Sequence, residues 1–272
     1  MENKKLKLSS VLFVAAIVFY ILNILGIVLT VVLNSFSKGW FSGIIPKIYT
    51  TEWYKYAAQD HNIFALLKTT FLVVAVVVIV SLLIAYPAAY VMARYNFRFK
   101  NIIMTLFLLP MMIPPMTYGV PLATLLLRMR FIPNIVCVII ANLVPILPFM
   151  ILILTPFVEQ IGENLESAAR MLGASKLKIF FRILVPLTMP GVLTASILSI
   201  VKTISAFELT FMIANAKSQT IIVALYADAF AAGARPWQSI DALAVIYFGI
   251  TMTALMIALR FVNPTQMVFK VK

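Results

Sequence analysis

Six apolar runs, each long enough to cross a bilayer and each bounded by polar or basic residues, constrain this chain more than any other feature. A helix crossing the roughly 30 Å hydrocarbon layer needs about 20 apolar residues at about 1.5 Å rise each. Runs of that length occupy residues 11–35, 64–92, 102–127, 132–157, 187–214 and 242–261. A soluble domain has no core large enough to absorb them: 63% of the 272 residues are hydrophobic and 11% are charged, and the mean hydropathy is +1.04. The pattern predicts an all-α membrane protein with six transmembrane helices. The first run follows Lys4, Lys5 and Lys7, as a signal peptide would, but it exceeds the roughly 7 to 15 apolar residues of such a peptide and lacks a small-x-small end. It is expected to be an uncleaved span. Only Arg128-Met129-Arg130-Phe131 separates the third and fourth runs, which predicts a helical hairpin. The apolar stretch 220–233 is too short to span and is expected to lie in the interface or fold back into the protein.

The formal charge of +13 would suit a nucleic-acid binder, yet the basic residues sit in short clusters between the runs and read as topology signals, so no nucleic-acid partner is expected. With the N-terminus in the cytoplasm, Lys4, Lys5, Lys7, Arg94, Arg98, Lys100, Arg170, Lys176, Lys178, Arg182, Arg260, Lys270 and Lys272 lie inside. Lys38, Lys47, Lys55, Arg128, Arg130, Lys217 and Arg235 lie outside. The inside excess predicts that both termini are cytoplasmic, although the two arginines of the outer hairpin run against the rule. Cys137 and His61 are single, which excludes an internal disulfide and a Cys/His zinc site of known spacing. A Gly-x4-Gly-Lys phosphate loop is absent, because none of the nine glycines precedes a lysine. Any ATP-driven step therefore needs another subunit.

Two features inside the runs bear on function. The third run carries Pro110, Pro114, Pro115 and Pro121 around Tyr118 and Gly119, too many for a regular helix. Broken backbone at membrane depth is tolerated where protein or a water-filled cavity satisfies it, so this is either a kinked packing helix or the wall of a solute path. The fifth run carries Lys202 and Glu208. Intramembrane charge costs at least ~2.5 kcal/mol on insertion scales and usually faces protein or water. On one continuous helix, six residues separate the two by roughly 9 Å and about 240°, so they are not expected to pair directly. Lys202 suits an anionic solute, a partner-chain carboxylate or a structural interhelical bond; Glu208 suits a cation or a gate. Tyr86, Tyr90, Met111, Met112, Met116 and Tyr118 are further candidates for a path lining, or else packing residues, and Cys137 is expected to be inert.

The cytoplasmic stretch between the fourth and fifth runs, residues 159–186, has its own logic. Asn164 can cap a helix whose first turn holds Glu166, where a carboxylate suits the dipole, and Glu166 is four residues before Arg170. Gly173 ends that helix; Ser175 caps a second, residues 176–184, which Pro186 stops at the membrane boundary. The result is a protruding knob with Ser167, Ala168 and Ala169 on a surface that another protein can approach closely.

This stretch resembles the signature of the membrane-spanning permease subunits of ATP-binding-cassette importers: Glu-Ala-Ala, three residues, Gly, nine residues, Ile-x-Leu-Pro. Ser167, Ala168 and Ala169 align with the triplet, Gly173 with the glycine, and Ile183, Val185 and Pro186 with the close. Ser167 stands where the family has Glu and Val185 where it has Leu; Glu166, one residue earlier, is the nearby carboxylate. The resemblance implies a MetI-like fold, with 1–272 forming one permease domain. It assigns Glu166, Ser167, Ala168, Ala169, Arg170, Gly173 and Ala174 to a coupling helix docked on a cytoplasmic ATPase dimer, which binds ATP and Mg; this chain holds no cofactor and hydrolyses nothing. It also implies a second permease, either a copy or a paralogue, an extracytoplasmic solute-binding protein, and a bacterial inner membrane. Lys202, Glu208, Tyr118 and Met116 are then candidates for the translocation path.

Asn34-Ser35-Phe36, Trp40-Phe41 and Thr50-Thr51-Glu52-Trp53-Tyr54 are most similar to the second permease of polyamine-type systems, whose relatives carry aminoethylphosphonate, ferric iron, thiamine or opines. Phe207-Glu208-Leu209 falls where sugar permeases often carry Asn-Glu-Phe, which keeps sugars and sugar phosphates as the alternative. Lys202 at mid-span disfavours a polyamine and favours an anion. Other classes fare worse: a channel or secondary transporter using Lys202 and Glu208 as a relay needs no docking motif, and a membrane enzyme needs a catalytic cluster that Glu159, Glu163 and Glu166 do not make without His or Cys. His61, in an outer loop, is expected to be solvated.

Overall fold

The computed structural model describes residues 8–40, 43–60, 62–129, 134–230 and 235–260. The readings made on Lys4, Lys5, Lys7, Phe41, His61, Arg130, Phe131, Ile132, Gly233, Phe261, Lys270 and Lys272 lie outside them. The described residues are helical apart from loops and a single antiparallel bridge between Ser37 and Tyr49. Among them, four helices are long and apolar enough to span alone: Ser10–Ser35, Ile63–Arg94, Ile135–Glu159 and Trp237–Ile257. Two bent pairs bring the number to six, Lys100–Met112 with Pro115–Arg128 and Lys176–Leu187 with Met189–Ile204.

The chain falls into two compact units, Met1–Ile63 with Leu225–Gly249 and Phe64–Ala224 with Ile250–Lys272. In the first, α1 (Leu8–Ser35) is mostly apolar and, from Ser10 on, has no buried residue before Ser35, as suits a helix facing lipid. Its end is pinned by polar contacts: Asn34 Nδ2 donates to Asp241 Oδ2 at 2.5 Å, and Ser35 Oγ meets the Tyr54 hydroxyl of α2 (Glu52–Asp60) at 2.8 Å. The Trp53 indole donates to the Ser37 carbonyl at 2.6 Å.

The second unit is built around α6 (Ile135–Glu159), capped by the Asn134 side chain, which accepts from Val136 N and Cys137 N. Onto it pack α4 (Lys100–Met112), α10 (Met189–Ile204) and α11 (Glu208–Ile213); α5 (Pro115–Arg128) lies against α11. A core shared by α3 (Ile63–Arg94), α5, α6 and α11 includes Val73, Val77, Leu126, Cys137, Val138, Ala141, Leu209 and Ile213. Close approach depends on glycine: a Cβ at Gly191 of α10 would fall 2.4 Å from Cγ of Phe157 on α6.

Three spans differ from the hydropathy reading. The third is two helices that meet at 98°. Ile113 and Pro114 each precede a proline, which disfavours helical backbone, and both are extended, with ψ of 132°. Pro110 and Pro121 are accommodated within α4 and α5. The fifth does not run unbroken over 187–214. It turns by 70° at Thr188, and α10 ends at Ile204, leaving Ser205, Ala206 and Phe207 as a break before α11. Ser205 Oγ folds back onto the Val201 carbonyl at 2.9 Å, a local bond that competes with continuing the helix. The sixth begins at Trp237 rather than 242, because Pro236 starts it and the Ser239 hydroxyl donates to the Pro236 carbonyl at 2.8 Å. Between them, α12 (Ile221–Phe230) is about 15 Å long, too short to cross, as its sequence suggests.

Candidate functional site

Two polar constellations stand out in the second unit. The first is the segment after α6. Its helix, α7 (Glu163–Met171), starts earlier than expected: Gly162 in an extended conformation is the N-cap, and Asn164 lies inside the first turn. The chain turns at Gln160 and Ile161 after α6, and the helix begins one residue after the extended Gly162, with Glu163 and Glu166 in its first turn. The far end is as the glycine implies. Gly173 has φ of +79°, Gly173 N–H donates to the Arg170 carbonyl at 2.9 Å and Ala174 N–H to the Ala169 carbonyl at 3.0 Å, the paired bonds of a left-handed C-cap. Ser175 then accepts from Lys178 N at 3.3 Å and starts α8 (Lys176–Ile179). Pro186 does not end the helical path here, contrary to expectation. A wide π-helical turn, Phe180–Leu184, carries the chain into α9 (Val185–Leu187), and the break comes at Thr188, whose hydroxyl meets the Tyr86 hydroxyl at 2.5 Å.

Glu166 is turned inward. Its side chain is 2% exposed, its Oε1 accepts from Arg94 Nε at 2.6 Å, and its Oε2 accepts from the Tyr90 hydroxyl at 2.9 Å. Arg94 Nη2 also donates to the Ile161 carbonyl at 2.7 Å. The expected partner Arg170 approaches to 3.6 Å from the exposed side. Glu166, the carboxylate next to the family's Glu position, therefore does not face outward: it ties α7 to the end of α3, because Arg94 is buried beside it and closer than the exposed Arg170. The outer surface is made instead by Ser167, Ala168, Arg170 and Gly173, with Ala169 and Ala174 half-buried. Sequence reading missed the apolar tip, where Met171 is 86% exposed, Leu172 89% and Leu177 71%. The available signal was three large apolar residues around Gly173 in an otherwise polar stretch.

The second constellation is a cavity of about 230 Å³ where the two broken spans meet α6. One break from each span opens onto it: Ile113 and Pro115 from the third, Ser205 and Ala206 from the fifth. Tyr118 of α5, Asn142 of α6, Lys202 of α10 and Glu208 of α11 join them. The single-helix geometry expected for Lys202 and Glu208 does not hold; the break between α10 and α11 brings both to one cavity, although they form no ion pair. Lys202 Nζ sits 4.8 Å from the Phe149 ring centroid, a cation–π contact. Asn142 is fully buried; its Nδ2 donates to the Val138 carbonyl at 2.8 Å and to Thr210 Oγ1 at 3.1 Å, while its Oδ1 has no hydrogen-bond partner. The Tyr118 hydroxyl is likewise buried and unpartnered.

Met116 is exposed and does not line the cavity; Met111 does. Tyr86 and Tyr90 serve the bonds to Thr188 and Glu166. Asn142 escaped the sequence reading, although an amide in the middle of an apolar run was its signal. Among the described residues no three His, Cys, Asp or Glu side chains gather in a way that would hold a metal.

The same architecture is found in known proteins. A chain of the crystal structure of a bacterial ABC transporter involved in the import of the acidic polysaccharide alginate superposes with a TM-score of 0.77, over 97% of this chain and 99% of that one, at 15% identity. The sulfoquinovosyl glycerol transport system permease protein SmoH of Agrobacterium fabrum is 31% identical over 223 residues, 81% of this chain and 75% of that protein. The spermidine/putrescine transport system permease protein PotB of Haemophilus influenzae is 31% identical over 156 residues, and the match spans 51% of this chain and 54% of that one. Residues 85–266, from the end of α3 through the docking segment, the cavity and α13 (Trp237–Arg260), match the model of the binding-protein-dependent transport system inner membrane component. The chain belongs to that family and is an integral membrane permease subunit of an ABC importer.

Proposed function

We propose that the chain passes a small polar or charged organic solute from an extracytoplasmic binding protein to the cytoplasm by alternating access, driven by a separate ATPase dimer that binds ATP and Mg and paired with a second permease. The observation that carries this reading is α7 itself: a short helix held rigidly to α3 by Glu166 and Arg94, with an exposed apolar tip at Met171, Leu172 and Leu177. A lever of this kind transmits a push only if its root does not yield. Closure of the ATPase around ATP would move α7 and, through Arg94, the end of α3. Both termini lie on the same cytoplasmic side as α7 in this reading.

The names of relatives do not select the solute. They include spermidine/putrescine, molybdate and sulfoquinovosyl glycerol, and the structural neighbour imports an acidic polysaccharide. We place the solute in the polyamine and aminoethylphosphonate group, with a sugar or sugar phosphate as the second reading, favoured by the longer match to SmoH. The experiment is co-purification followed by uptake. An ATPase subunit is expected to come with the chain, and vesicles loaded with ATP are expected to take up solute. Gly173→Leu tests the docking tip directly. A Cβ there meets open space, so the fold loses only the ease of a left-handed backbone, about 1–2 kcal/mol. ATP-driven uptake is expected to vanish while membrane insertion persists; unchanged uptake would refute the docking assignment.

A further inference from the structure

The cavity between α4, α5, α6, α10 and α11 carries opposite charges that the fold leaves unmatched. Among the described residues, Lys202 has a ring beneath it and no carboxylate; Glu208 has no cation, and both are half-buried. The Tyr118 hydroxyl and the Asn142 amide oxygen are buried in the same space without partners. Buried polar atoms are satisfied in the great majority of cases, so these two left open, beside two half-buried charges with no counter-ion among the described residues, mark a place built for something else to complete. The backbone agrees, since the break at Ile113 and the break that begins at Ser205 and Ala206 open here, and non-helical backbone at membrane depth is tolerated where it lines a cavity.

The charge signs set the chemistry. A dication such as a diamine would satisfy Glu208 and be repelled by Lys202, and a dianion would meet the reverse. A solute with one group of each sign satisfies both. At about 230 Å³ the cavity is small for a ligand site, roughly 300–1,000 Å³ being usual, which suits a molecule of amino-acid size and not an oligosaccharide. We infer that this cavity is a solute subsite for a small zwitterion, with its anionic group on Lys202, its ammonium on Glu208, and Tyr118 and Asn142 as hydrogen-bond donor and acceptor at its sides. This rests on the importer reading and narrows its polyamine and aminoethylphosphonate group to the zwitterionic members, the diamines being excluded by Lys202.

The test uses the permease–ATPase complex without its binding protein, so that no other solute site is present outside the membrane. Thermal unfolding is followed with taurine, γ-aminobutyrate or 2-aminoethylphosphonate, and with putrescine and succinate as single-sign controls. A zwitterion is expected to raise the midpoint, and further with the logarithm of its concentration above Kd, while the controls do not. Lys202→Gln and Glu208→Gln are each expected to remove the shift. Tyr118→Phe, which removes one oxygen and disturbs no bond of the fold, is expected to weaken binding about tenfold, the size of one hydrogen bond to a charged group. A shift from putrescine or succinate equal to that from the zwitterions, no shift from any zwitterion, or a shift kept in all three variants overturns the inference. Failure of the importer reading is seen elsewhere: the ATPase would not co-purify, whatever the cavity binds.

Discussion

Two polar clusters in one unit are treated in opposite ways. At the root of α7, Glu166 is buried with Arg94, Tyr90 and Arg170 around it, and Arg94 gives a further donor to Ile161. In the cavity, Lys202, Glu208, Tyr118 and Asn142 are brought together and left incomplete. Burying charge is costly in either place, so the difference is informative. A saturated cluster holds two elements in one geometry. An unsaturated one keeps unmet bonding capacity, which a passing solute or a second conformation can use. The proposed alternating-access cycle needs both, one to transmit force and one to respond to cargo.

The largest expected effect is at the saturated cluster. Arg94→Ala leaves the Glu166 carboxylate buried without its main partner, and removing one member of a buried pair costs about 3–5 kcal/mol. The complex is expected to lose much of its thermal stability and all of its uptake. Lys202→Gln removes a charge that has no counter-ion among the described residues, so its midpoint is expected to hold or rise while uptake falls. Parallel melting curves of the two variants decide the matter. Equal destabilisation would mean that Lys202 is as structural as Arg94, and the contrast would be lost.

Much of this contrast was beyond the reach of the sequence, for reasons that particular residues make plain. The six apolar runs were legible because hydropathy measures the cost of leaving water, which each run registers by itself. Gly173 and Ser175 were legible because a left-handed C-cap and an N-cap are local and chemically specific. The break after Ile204 was not, since Ser205, Ala206 and Phe207 include no proline and fit an apolar helix. That break matters most, because it overturns the single-helix geometry of Lys202 and Glu208. The inward turn of Glu166 was hidden for another reason: its partner Arg94 is 72 residues away, and read in isolation a carboxylate in a first turn is explained by the dipole and by Arg170. Asn142 was an available signal that went unread. Its unpaired oxygen, however, is a property of what α5, α10 and α11 fail to offer it, and no stretch of sequence contains that.

A smaller effect sharpens the comparison without removing charge. Tyr90→Phe deletes one hydrogen bond to the Glu166 carboxylate and leaves Arg94 in place. Hydrogen bonds to charged groups contribute about 1.5–3 kcal/mol, and with the ion pair still formed the lower end is expected. Uptake is expected to fall less than in Arg94→Ala, while the ratio of ATP hydrolysed to solute moved rises, because the lever has loosened and not broken. An unchanged ratio in assembled complexes would make Tyr90 a packing residue and reduce the root of α7 to the Arg94 bond alone.

Tyr118→Phe is the matching change in the cavity and has the smallest expected effect on folding. Its hydroxyl is buried and makes no bond within the fold, so removing it spares an unsatisfied group and costs no interaction. The expected change in stability is within about 0.5 kcal/mol of zero, in contrast to the same chemical change at Tyr90. Transport is expected to move the other way, with a raised solute concentration for half-maximal uptake and little change in hydrolysis without solute. The two Tyr→Phe variants thus exchange roles: one affects the fold and the coupling ratio, the other the affinity for cargo. If Tyr118→Phe costs as much stability as Tyr90→Phe, then its hydroxyl is already bonded in the assembled importer, by water or by the second permease. The cavity would then be a closed structural cluster like the one at α7, and the cargo would have to pass elsewhere.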